Sequence, residues 1–262
     1  MNRVIRAELL RLLRRRTAYI AVAAAALFAV IASLAVFSSA RSSGVASRRG
    51  GTTIAALSGT GGGTEAFATG ASFTGFLVFV TFIALIASEF SGGTFRSLVM
   101  REPSRLKVIV GKLAGILLVV GGVVALAEAC TFVMSLVLAP TKDVPTTDWW
   151  SFASLGQGVR DYVTVMGGVT GWAVFGTTLA VIFRSAPVAL GVGFAWAGPF
   201  ENIIVDSWRT GYRVFPGQVL ASLIQGGTAE LGIGRAVLTA TVYAAVAAVV
   251  TLLLVSRKDV TS

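Results

Sequence analysis

The chain has 262 residues, of which 55% are apolar and only 13% are charged. Soluble domains carry about a quarter charged residues, so this composition excludes an ordinary soluble domain and indicates an integral membrane protein. The formal net charge is +10, but the basic residues flank apolar runs instead of forming one groove, which favours lipid head groups over nucleic acid as their partners.

Residues 1–17 place apolar side chains on one side of a helical pattern and Arg side chains around the rest. This pattern predicts an amphipathic helix that lies on the membrane surface before the first span. The alternative is that the Arg residues act only as a topology signal.

Six segments are long and apolar enough, or nearly so, to cross a bilayer, which takes about 20 mostly apolar residues in a helix. They are residues 18–37, 71–88, 108–138, 162–183, 187–205 and 236–256. The sequence therefore predicts a single all-α transmembrane domain over residues 1–262, with both termini on one side. Lys and Arg near the span ends are more numerous on that side, which predicts that both termini are cytoplasmic.

A polar insert, residues 89–112, separates the second and third spans. Glu89 ends the apolar run, Thr94 is a good N-cap and Pro103 stops a helix, so a short helix is predicted at residues 95–102. The surface of this helix is partly apolar and partly basic, through Phe95, Leu98, Arg96 and Arg101. Because a two-turn helix is unstable alone in water, it must dock against the membrane surface or a partner protein.

The insert also carries a spaced set of residues: Glu89, Gly93, Thr94, Leu98, Pro103, Ser104, Arg105, Gly111 and Lys112. This spacing resembles the cytoplasmic loop of membrane subunits of ATP-binding-cassette (ABC) transporters of the type-2 exporter family, and the six-span layout and the basic N-terminal helix are similar too. The resemblance implies that residues 95–102 form a coupling helix that rests in a cleft of an ATP-hydrolysing subunit, with Glu89 and Arg105 holding its ends. The implied coupling residues are Glu89, Gly93, Thr94, Phe95, Arg96, Leu98, Arg101, Pro103 and Arg105. The alternative is an ordinary solvated loop.

The same resemblance implies a permease subunit that moves a hydrophobic or amphipathic substrate outward by alternating access, in the cytoplasmic (inner) membrane of a bacterium. The expected partners are two copies of an ABC ATPase subunit, which would bind ATP and Mg²⁺, a second permease copy or a related permease, and membrane lipids. The sequence has no Gly-x-x-x-x-Gly-Lys-Ser/Thr phosphate loop, so the chain itself is expected to be no enzyme and to hold no cofactor or metal. With no histidine, Ser-His-Asp triads and histidine zinc sites are excluded as well.

The region after the fifth span, residues 206–235, contains several helix breakers. The resemblance implies that it dips back into the membrane from outside as short helices and forms an outer gate. Irregular backbone at membrane depth is tolerated only where protein or a water-filled cavity covers it. The alternative is a plain solvated loop outside the membrane.

Five residues are candidates for lining a transport path: Glu128, Trp172, Trp196, Glu201 and Asn202. Glu128 lies within a predicted span, where a charge is costly unless it is paired, hydrated or protonated. It either meets a cationic or polar substrate or hydrogen-bonds to a neighbouring helix. The two tryptophans either line a cavity or serve packing, and the last two residues either pair at the gate or are simply solvated.

Two other classes of function compete with an ABC permease. One is an ATP-independent secondary carrier or channel, which usually has buried charges in several spans and internal repeats. The sequence shows no repeat, and only Glu128 stands out as an ionisable residue at depth. The other is a membrane scaffold or sensor partner that transports nothing.

Overall fold

The computed structural model describes residues 2–41, 52–91 and 105–257, without the side chains at positions 2, 3, 73, 90, 91, 105, 106, 256 and 257. Within these ranges the chain is almost entirely helical, and no strand is present beyond one isolated bridge between Arg41 and Thr53. The predicted all-α architecture is confirmed for this part of the chain. The predicted coupling helix, residues 95–102, lies outside the described residues.

The helices are numbered here in chain order. They are α1 (Asn2–Leu12), α2 (Arg15–Ser39), α3 (Ile54–Ser58), α4 (Glu65–Ser91), α5 (Arg105–Leu138), α6 (Phe152–Phe183), α7 (Ala186–Ala195), α8 (Glu201–Ser207), α9 (Pro216–Ile224) and α10 (Ile233–Arg257). Short 3₁₀ turns at Ala139–Lys142, Thr147–Trp150 and Arg209–Arg213 connect some of them, and a π-helical turn at Trp196–Phe200 joins α7 to α8.

Five of the described helical segments are long and apolar enough to cross a membrane: α2, α5, α6, the run from α7 to α8, and α10. Helix α4 is bent by 50° between Ser72 and Thr74, and its two halves together make a sixth such segment. The protein is therefore a helical chain with the composition of a multi-pass membrane protein. Apolar side chains on the outside of these helices, such as Leu27, Val133 and Val246, are more than half exposed, as expected for surfaces that face lipid.

The helices extend beyond the apolar runs from which they were predicted. Helix α6 begins at Phe152, well before residue 162, because Ser151 caps it by accepting a hydrogen bond from the Ser154 N–H at 3.2 Å. Polar side chains in its first turns, including Gln157 and Asp161, obscured this start in the sequence. The run from α7 to α8 is continuous but contains Pro199, and the π-helical turn accommodates the proline, which lacks an N–H.

Helix α4 packs along α6, and the two approach closely at a glycine. A Cβ on Gly176 would lie 3.0 Å from the Phe79 carbonyl oxygen, so a side chain at this position would push the two helix backbones apart. Small residues at such contacts let helix backbones come together, which favours van der Waals packing between helices in a membrane. The α4–α6 pair forms the centre of the main apolar core, which also contains Trp172 and Ile83.

Helix α9 lies in the region predicted to re-enter the membrane. It packs against α4, α6 and α10, and four of its apolar side chains are buried in the main core: Val219, Leu220, Leu223 and Ile224. The helix ends at Ile224, and Gly226 and Gly227 follow it with φ angles of 71° and 107°, which suit glycine and let their N–H groups bond back to Leu223 and Ser222. The chain then turns towards α10.

Candidate functional site

Four charged side chains meet where α1, α4 and α5 come together; they are called the charge quartet here and comprise Glu8, Arg11, Glu89 and Lys112. The Lys112 Nζ lies 2.9 Å from Glu8 Oε2 and 2.5 Å from Glu89 Oε1. The Arg11 Nη1 lies 2.9 Å from Glu89 Oε1 and 3.6 Å from Glu8 Oε1. Each carboxylate therefore contacts both cations, and each cation contacts both carboxylates.

Three of the four side chains of the quartet are buried. The exposed fractions of the side chains are 9% for Glu8, 6% for Glu89 and 6% for Lys112, whereas Arg11 is 52% exposed. Burying single charges costs several kcal/mol each, and opposite charges with good hydrogen-bond geometry offset that cost. The alternation of signs makes the quartet neutral as a unit, so removing any one member leaves a buried net charge.

A glycine lets α1 approach α5 closely enough to form the quartet. A Cβ on Gly115 would lie 3.0 Å from the Cβ of Glu8 and 3.5 Å from the carbonyl oxygen of Ile5. Gly115 is close to Lys112 on α5, so the contact and the ion pair fix the same part of α1.

We expect a Gly115→Leu substitution to displace α1 from α5, because overpacking a close helix contact costs about 1–3 kcal/mol. Tryptic removal of a tag at the N-terminus should then be roughly tenfold faster than in the wild type. The matched control is Gly122→Leu on the same helix, because a Cβ there meets no atom within 4 Å. Equal cleavage rates in the two variants would contradict this contact.

The quartet borders the polar insert on both sides. Glu89 lies in the last turn of α4, and Lys112 lies near the start of α5. The chain between these helices contains the predicted coupling residues Gly93, Thr94, Phe95, Arg96, Leu98, Arg101 and Pro103, which lie outside the described residues. Arg105 begins α5, but its side chain is not described. Thus α1 is joined by ion pairs to both helices from which the insert emerges.

The chain matches a known protein family over most of its length. Residues 26–261 match a family model described as "Protein of unknown function (DUF2705)". The chain belongs to this family. No curated protein and no solved structure is detectably similar to it. The DUF2705 match includes Glu89 and Lys112, whereas Glu8 and Arg11 lie before it.

In this DUF2705 protein the sequence singled out Glu89 as a coupling residue, and Lys112 only as the last residue of the spaced set in the insert. Glu89 was expected to hold one end of the coupling helix with Arg105, and the structure pairs Glu89 with Arg11 and Lys112. Glu8 and Arg11 were missed. A usable signal was present, since Glu8 is the one acidic residue within a strongly basic N-terminal helix and precedes Arg11 by one helical turn.

Four of the five transport-path candidates gather around the N-terminal end of α9. A Cβ on Gly217 would be 3.3 Å from the Trp172 ring and would collide with the Glu201 carboxylate. Asn202 Oδ1 accepts a hydrogen bond from Gln218 at 3.1 Å. The fourth candidate, Trp196, stacks on Phe200 at 4.9 Å and meets Phe215, which immediately precedes α9.

Glu201 is fully buried at this place and acts as a cap for α9. Its Oε1 accepts a hydrogen bond from the Gly217 N–H at 3.3 Å. The first N–H groups of a helix have no partner within the helix, and the helix dipole favours a negative charge there. Trp172 is likewise buried, against the Phe79 ring at 4.9 Å, so its contacts are those of a packing residue.

Glu128, the fifth candidate, lies elsewhere. It lines a separate cavity between α5 and α6, at the end of α5 away from the quartet. Sixteen residues of helix separate it from Lys112, which corresponds to about 24 Å along the helix axis. The candidate path residues therefore fall into two groups, and only the group around α9 forms one packed cluster.

Proposed function

We propose that this DUF2705 protein is the membrane subunit of an ABC exporter, driven by a separate ATPase subunit that docks on residues 95–102. The observation that supports this proposal is the charge quartet. It ties a basic N-terminal helix to both helices that flank the insert, at the place where an external partner would apply force. The residues of the insert supply the resemblance to ABC permeases, and the quartet supplies a physical link from the insert to the membrane helices.

The quartet makes α1, α4 and α5 move together near the insert. A displacement of the insert pulls on Glu89 through α4 and on Lys112 through α5, and α1 follows because Glu8 and Arg11 are held by the same charges. Helix α5 has 34 residues and is about 50 Å long, so a tilt at one end reaches the other. In the proposed mechanism this tilt changes the access of a central path between two permease copies.

The proposal includes an orientation and a location. Both termini would lie in the cytoplasm of a bacterium, with α1 on the inner surface of the cytoplasmic membrane. The exposed Arg residues at the junction of α1 and α2, Arg14, Arg15 and Arg16, would then face anionic lipid head groups. A second permease copy would complete the path, and the gate would lie around α9, where Glu201 caps the helix.

The decisive experiment is co-purification from the native membrane. We expect the tagged full chain, extracted in mild detergent, to carry an ABC ATPase subunit in about equimolar amount. Replacing residues 95–102 by a Gly/Ser segment of the same length should abolish this association while the chain remains in the membrane. The matched control is the same replacement in the α8–α9 connection, at residues 208–215, which should retain the ATPase.

Two outcomes would sink the proposal. If no ATPase co-purifies and the chain alone moves a solute in liposomes down an ion gradient, the protein is a secondary carrier. If an ATPase co-purifies but no cargo moves while ATP is hydrolysed, the protein is a scaffold or sensor partner.

A further inference from the structure

The cavity beside Glu128 is separate from both the quartet and the α9 cluster. Its volume is about 790 Å³, which lies within the range of about 300–1,000 Å³ that small-molecule sites occupy. Its walls are α5, α6 and the 3₁₀ turn Thr147–Trp150, and the surface is mainly apolar. The side chains that matter for recognition are Glu128, Phe132, Trp149, Trp150, Phe152 and Tyr162.

Glu128 is the acidic side chain in the wall of this cavity. It is half-buried, and among the described residues it has neither a hydrogen-bond partner nor a basic ion-pair partner. Its Oε1 lies 3.3 Å from the place where a Cβ on Gly158 would stand, so the carboxylate extends across the cavity towards α6. A second carboxylate, Asp161, acts on Glu128 electrostatically, but it accepts hydrogen bonds from Thr64 and Gln157 and lies in the field of Arg160, so Glu128 is the carboxylate left for a ligand.

Four of the five aromatic rings named in the wall are held by contacts within the protein. The Trp149 Nε1–H donates to the Leu57 carbonyl oxygen at 2.9 Å, and the Tyr162 hydroxyl donates to the Gly121 carbonyl oxygen at 3.2 Å. The Phe132 ring meets the Trp150 ring edge to face at 5.8 Å. Trp150 and Phe152 are 70% and 94% exposed, so the protein itself leaves most of these two rings uncovered.

We infer that this cavity binds a monovalent organic cation with an apolar body, whose charge rests near Glu128 while its body packs on the aromatic rings. We take the ligand to be a cation because the wall offers a carboxylate that has no basic partner among the described residues. Aromatic faces attract both apolar groups and cations, whereas aliphatic side chains would attract only the apolar groups. A small inorganic cation would leave most of the volume unfilled, and an anion would be repelled by Glu128.

The test uses two ions of nearly equal shape and opposite charge, tetraphenylphosphonium and tetraphenylborate. Binding to the purified full chain in lipid nanodiscs is measured by equilibrium dialysis, with empty nanodiscs as the blank. We expect saturable binding of the phosphonium. Glu128→Gln, which keeps the shape of the side chain, should weaken this binding about tenfold or more and leave the borate unaffected or bound more tightly.

Two further variants keep the inference falsifiable. Glu128→Asp retains the charge and should retain most of the phosphonium binding, whereas Glu230→Gln removes an exposed carboxylate that pairs with Arg209 outside the cavity and should change nothing. Equal phosphonium affinities of the wild type and Glu128→Gln, or no saturable binding to the wild type, would overturn the inference.

The binding assay requires no ATPase, so its failure would leave the proposed function standing. Only the further statement that the bound cation is the exported substrate rests on the proposed function. That statement predicts that tetraphenylphosphonium stimulates ATP hydrolysis by the complete complex and that Glu128→Gln removes the stimulation.

Discussion

Replacing Lys112 by methionine is expected to lower the stability of the protein by about 3–5 kcal/mol, the cost of breaking a buried ion pair by removing one partner. In this variant Glu8 and Glu89 remain buried close together, and Arg11, the remaining cation of the quartet, is half exposed. The helices α1, α4 and α5 would then separate at their common end. The measurement is the melting temperature of the detergent-purified protein, determined from the loss of its monodisperse peak after heating.

A second substitution should reverse part of this loss. The double variant Lys112→Met with Glu89→Gln has one cation and one carboxylate left, so it is neutral again and should be more stable than Lys112→Met alone. The control is Glu230→Gln, because the exposed pair of Arg209 and Glu230 is worth only about 0–1 kcal/mol. A double variant that is less stable than Lys112→Met would show that charge balance is not what holds the quartet.

Gly168→Val is expected to expel α9 from its position between α4, α6 and α10. A Cβ at Gly168 collides with the Ile224 side chain and lies 3.3 Å from the Leu220 carbonyl oxygen, which is backbone and cannot rotate away. Overpacking of this kind costs about 1–3 kcal/mol, and separation of α9 from α6 would relieve it. The proposed gate region would therefore become mobile while the membrane helices stay folded.

The displacement of α9 can be followed with a single thiol. Val219 is fully buried on α9, and Cys130 is the one native cysteine, so Val219→Cys in a Cys130→Ala background reports on α9 alone. Gly168→Val should raise the labelling rate of this thiol roughly tenfold or more. Gly156→Val is the matched control on the same helix, since a Cβ at Gly156 meets nothing within 4 Å. Unchanged labelling in Gly168→Val would mean that α9 is not seated on this glycine.

The existence of the long helices could be predicted from the sequence because each contains an uninterrupted apolar run. Their ends could not, because a helix continues through polar residues once it is capped and packed. Helix α6 shows this: Ser151 starts it, and Gln157 and Asp161 belong to it although they break the apolar run. The bend in α4 likewise has no proline to announce it in the sequence.

The candidate site was only partly predictable for a different reason. Glu89 and Lys112 stood out because they border the polar insert, and the borders of such an insert can be read from the local sequence. Their partners Glu8 and Arg11 are supplied by a helix 78 to 104 positions away in the chain, and no local pattern specifies that pairing. Similarly, the sequence left two roles for Glu201, pairing at the gate or solvation, and the helix end that it caps is fixed only by the packing of α9.

The sequence separation within the quartet also sets an order of assembly during synthesis. Helix α1 is synthesised before α4 and α5: Glu89 follows Arg11 by 78 positions, and Lys112 follows Glu8 by 104 positions. Before Lys112 is synthesised, the quartet has two carboxylates and one cation, Arg11, so it is not yet neutral. The docking of α1 on α4 and α5 is therefore expected to be complete only after α5 has been synthesised.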